Sequence, residues 1–71
     1  MITIREYRTL TTGRREYVSS VTIPERHRRR IENAYREAWE SVRESGLRGG
    51  VVVERGGREL DDIEVGEIIE G

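Results

Sequence analysis

The sequence predicts an α+β fold of order ββαββ, with one long helix packed on one face of a mixed four- to five-stranded sheet. Three observations predict it. Two β-prone segments, ITIREYRTL and REYVSSVTI, flank a glycine-bearing turn. A stretch with helical apolar spacing, PERHRRRIENAYREAWESVRESG, follows them. A second pair of short β-prone runs then surrounds Gly56-Gly57.

In residues 2–10, Ile2 and Ile4 alternate with Thr3 and Arg5, the period of two that marks a half-buried strand. TTGR at 11–14 supplies a glycine free to take positive φ, and residues 15–23 return as a second strand rich in β-branched and aromatic side chains. Thr22 and Glu25 have capping-box spacing with Pro24 in the first turn, so the helix is expected from there. Ile31, Ala34, Tyr35, Ala38 and Val42 share one helical face, with Trp39 at its edge, and Gly46 with Leu47 behind it reads as a C-terminal cap. The Gly56-Gly57 turn sets Val53 opposite Leu60. The tail, DDIEVGEIIEG, is expected to bulge or turn at Gly66 into a last, fifth strand. The expected core is this helix face packed on Ile2, Ile4, Val18, Val51, Val53, Leu60 and Ile68, in a single domain spanning 1–71.

YRTLTTGRREYVSSVTI resembles the first hairpin of the ubiquitin-like β-grasp superfamily. VVVERGGRELDDIEVGEIIEG resembles its third and fourth strands and final strand. The resemblance implies a β-grasp-like sheet and a protein-interaction role. The chain departs from the family in its longer helix and in ending Glu70-Gly71, so the chemistry of a terminal diglycine is not implied.

The composition is unusual. All 13 basic residues are Arg, and Lys, Gln, Phe and Cys are absent. High genomic GC would replace Lys by Arg but also enrich Ala and Pro, and here Ala34, Ala38 and Pro24 are the only ones. Hyperthermophile sequences gain Lys and Glu together. These features point to an artificial, de novo designed sequence whose only work is to fold; the alternatives are a natural interaction module that binds a protein partner or itself, cytoplasmic for want of a signal peptide or an apolar membrane segment, and a polyanion contact through Arg26–Arg30.

Catalysis is not expected. His27 is the sole histidine and falls on the apolar side of the helix, where it packs rather than ligates. No serine has a base beside it, no glycine pair has nucleotide-loop spacing, and Asp61-Asp62 reads as solvated surface, so no cofactor or metal is implied. Charge is the remaining signal. Residues 1–30 hold eight Arg against three Glu, a net of +5; residues 31–71 hold five Arg against eleven Asp and Glu, a net of −6. Arg26, His27, Arg28, Arg29 and Arg30 gather at the start of the helix, the reverse of what its macrodipole favours, and form the candidate anion-binding cluster. Pairing of Glu25 with Arg29, Arg28 with Glu32, and Glu32 and Glu40 with Arg36 would absorb that charge. With a pI near 5.9 and only Tyr7 and Tyr17 as strand aromatics, nucleic acid is not the expected partner.

Overall fold

A computed structural model describes residues 1–46 and 48–70, so Leu47 and Gly71, and the expectations placed on them, lie outside the described residues. The elements are β1 (Ile2–Thr9), β2 (Arg15–Ile23), α1 (Arg28–Ser45), β3 (Gly49–Arg55), β4 (Arg58–Glu59) and α2 (Asp62–Glu70). The α+β class and the ββαββ order hold. The sheet runs β2-β1-β3-β4, and every pairing is antiparallel, so it is not mixed.

Ile2 and Ile4 of β1 lie buried beneath α1, as their alternation requires, and Glu6 occupies the next position on that face. On β2 the alternation breaks. A bulge sets Tyr7 opposite Tyr17 but Glu6 opposite Ser19, leaving Val18 unpaired. Val18 is therefore 48% exposed and does not join the core as its sequence position suggested. Ile23, beyond the bulge, is buried in its place.

Helix α1 starts later than expected, at Arg28, with His27 at its N-cap and no side-chain cap. The Thr22–Glu25 capping box does not form. Pro24 biases Ile23 towards extended backbone, and the sheet uses that geometry: Ile23 pairs with Ile2, and the Thr22 and Thr3 hydroxyls lie 3.0 Å apart. Residues 24–27 then make a turn, closed by the His27 N–H donating to the Pro24 carbonyl at 3.0 Å. The end of α1 falls where expected, with Gly46 left-handed at φ 68 and its N–H donating to the Arg43 carbonyl. Ile31 and Val42 are buried, and Ala34, Tyr35 and Ala38 pack against the core cluster.

The second hairpin follows its glycines. Gly56 and Gly57 both have positive φ, Arg55 pairs with Arg58, and the Leu60 N–H donates to the Val53 carbonyl at 2.8 Å. The tail is a helix rather than a fifth strand. Asp61 Oδ1 accepts the Glu64 N–H at 2.8 Å and Glu64 Oε1 accepts the Asp61 N–H at 3.3 Å, which is a capping box. Val65 and Ile68, spaced for a helix, complete the core, and Ile63 points to solvent.

Glu64 also binds Arg58 at 2.7 Å. That guanidinium, and then the Asp61 backbone, hold the Glu64 carboxyl below its ordinary 4.5, at about 2. A depressed carboxylate stabilises the fold fully above its unfolded pKa, and the contribution is lost as pH falls through the folded one. Melting temperature should therefore drop between about pH 4.5 and 2, and Glu64→Gln should flatten that part of the profile. Superimposable slopes for the two proteins would assign the acid sensitivity elsewhere.

Candidate functional site

The arginines at the start of α1 do not enter the helical ladder that their spacing suggested. Because α1 begins at Arg28, Glu25 lies off the helix and pairs instead with Arg55 at 2.7 Å. Arg36 donates to Asn33 Oδ1 at 2.9 Å rather than binding Glu32 or Glu40. Among the described residues, Arg26, Arg28, Arg29 and Arg30 form no ion pair, and all four are exposed. They do not converge on one pocket. Arg28 lines a shallow groove with Glu25, Arg55, Glu64 and Glu67, whose carboxylates repel an anion. His27 is half-buried, with its carbonyl accepting the Ile31 N–H.

A second surface was not legible as such. Strand β2 is one edge of the sheet, and α1 packs mainly on β1 and β3 and touches β2 less than either. Every residue of β2 before Ile23 is exposed, including Tyr17, Val18 and Val21 (42%). Tyr17–Ile23 contains no charged residue in a chain that is 38% charged. Natural edge strands are normally guarded by charges, proline or covering loops. Between β2 and α1 runs an open groove lined by Ile4, Val21, Ala34, Glu37 and Ala38.

On the helix-free face, Tyr7 and Tyr17 meet edge to face at 6.0 Å. The Arg5 guanidinium lies 5.7 Å from the Tyr17 ring centre and that of Arg15 lies 4.4 Å from Tyr7. Tyr17 and Glu59 together raise the pKa of Arg15 above its ordinary value, which keeps it a permanent cation. Glu54, 3.1 Å from Arg5 Nε but off the line of a hydrogen bond, and Glu59, 3.2 Å from Arg15, balance both cations. The face is thus neutral and offers phosphate no net attraction.

At the head of the groove, Glu6 is 5% exposed, a carboxylate where the alternation of β1 calls for an apolar side chain. It forms an ion pair with Arg8 and accepts hydrogen bonds from Ser41 Oγ at 2.8 Å and Ser19 Oγ at 3.5 Å. One side chain thereby ties β1 to β2 and α1. The alternation Ile2, Ile4, Glu6 was the signal that could have found it.

No family model matches the chain, and no curated protein or solved structure matches it. Among the described residues, no group of three His, Asp or Glu could hold a metal ion, and no helix is long and apolar enough to cross a membrane.

Two outcomes follow from this geometry. Glu6→Ala strands Arg8 and should cost about 3 kcal/mol in urea unfolding, whereas replacing both partners together, Glu6→Leu with Arg8→Met, should cost under about 1 kcal/mol; equal losses would remove the ion pair as the cause. Duplex DNA should bind the arginine cluster weakly at low salt and release at physiological ionic strength, and combined Arg29→Ala and Arg30→Ala should shallow the salt slope. Binding that survives physiological salt would make the cluster a true nucleic-acid site.

Proposed function

We propose that the protein is a non-catalytic interaction module that takes an extended segment of a protein partner along the free edge of β2. The observation that carries this reading is the uncharged, uncovered run Tyr17–Thr22 at the sheet edge. An added strand would satisfy the outward backbone groups of β2, while alternate side chains enter the groove beside Val21, Ala34 and Ala38. The stretch YRTLTTGRREYVSSVTI, which resembles the first hairpin of β-grasp interaction modules and forms a hairpin here, supports the same reading.

A second reading is a designed scaffold that binds nothing. The Lys-free, Gln-free composition favours it. It leaves the exposed Val18 and Val21 without a use, although covering them would have stabilised the fold.

Selection of random peptides on the immobilised protein separates the two. The module should enrich proline-poor segments with apolar residues at every second position, and Val21→Lys should abolish their binding while leaving the melting temperature nearly unchanged. Failure to enrich any such segment would sink the module and leave the scaffold.

A further inference from the structure

Resting on that reading of β2 as a docking edge, we infer that its occupant is a second copy of this chain, paired antiparallel along β2 about a two-fold axis at Val21. The two sheets then join into one of eight strands.

The backbone fixes which residues are available. The Thr9 N–H donates to the Arg48 carbonyl, so odd-numbered residues of β1 bond towards β3 and even-numbered ones towards β2. Ile4 and Ile2 therefore bond Val21 and Ile23, and the backbone groups of Ser20 and Thr22 point outward to the free edge. The bulge at Val18 interrupts the edge above, which leaves Ser19–Ile23 as its regular part, with Val21 at the centre.

Antiparallel pairing about that centre places each residue against a suitable one. Val21 meets Val21 of the other copy on the groove side, where non-hydrogen-bonded pairs bring side chains closest. Ser20 meets Thr22, with their backbones exchanging hydrogen bonds.

Helix α1 supplies the second, independent observation. The groove beside Val21 is lined on α1 by Ala34, Glu37 and Ala38, and the paired arrangement takes the axis past α1 at the Ala34 end of that stretch. Glu37 also lines that groove, and Arg30, two helical turns earlier, lies on the same flank. The axis falls between them. Among the described residues, neither has an ion-pair partner within the chain. The two α1 helices would lie roughly 15–20 Å apart, three to four strand spacings, a gap that an arginine and a glutamate reaching from opposite sides can span. Arg30 of each copy then faces Glu37 of the other. The arginine-first, glutamate-last order of α1, unfavourable to its own dipole, is self-complementary in this arrangement.

The test uses the full chain. Sedimentation across a concentration series should show a reversible dimer, and Val21→Lys, which sets two ammonium groups face to face, should weaken it about 100-fold. Arg30→Glu should weaken it too, and the exchange Arg30→Glu with Glu37→Arg should restore it. The chain has no cysteine, so Val21→Cys should give an interchain disulfide on mild oxidation, while the solvent-facing control Ile63→Cys should not. A monomer at every concentration, or a disulfide yield at Val21→Cys no greater than the control, overturns the inference. If selected peptides still bind such a monomer in a manner lost with Val21→Lys, the edge module stands and only its occupant is wrong. With neither dimer nor peptide binding, both readings fall.

Discussion

Everything in this fold is fastened to β1, the one strand paired along its length on both sides. Its helix-side row, Ile2, Ile4 and Glu6, fixes where α1 can sit, because that row must be covered. Its other face carries Arg5 and Tyr7, which hold their partners by ion-pair and ring contacts rather than by burial. With α1 centred on β1 and β3, only Ile23 of β2 is covered and the rest of that strand is left bare. The bare edge is thus a consequence of where the apolar residues of α1 and α2 lie, and not of a weak β2.

The parts of the structure that were legible in the sequence rest on local stereochemistry. Gly56-Gly57 sets the second hairpin register, and Gly46 ends α1. The misses arise where two local rules compete. Thr22-x-x-Glu25 and Asp61-x-x-Glu64 have the same capping spacing, yet only the second caps a helix. Ile23 is held in the sheet by its pairing with Ile2 and by Pro24, whereas no strand pairs with the described residues beyond Leu60. Val18 illustrates a different limit: a bulge adds one residue and reverses which faces follow, and no period of two can announce it.

The candidate arginine cluster was legible by composition but not by partners. Its ladder of helical pairs presupposed a helix starting near Pro24, and the later start removed Glu25 from it. The surface most in need of an explanation, β2, read as an ordinary strand because exposure at an edge depends on strand order. Glu6 shows the same dependence in reverse. As a charged residue it reads as surface, and only the placement of Ser41 and Ser19 around it makes a buried carboxylate tolerable.

The central position of β1 also orders events in time. Its pairing with β2 closes a short loop, while its pairing with β3 closes one that spans all of β2 and α1 and carries the larger entropic cost. The first hairpin can form before the helix arrives, and in that early state the edge of β2 is already as open as in the finished fold. Folding therefore never passes through a stage in which this edge is hidden. Pairing between chains competes with folding from the outset, and the regular, uncharged half of β2 is where crowded synthesis would leave its mark.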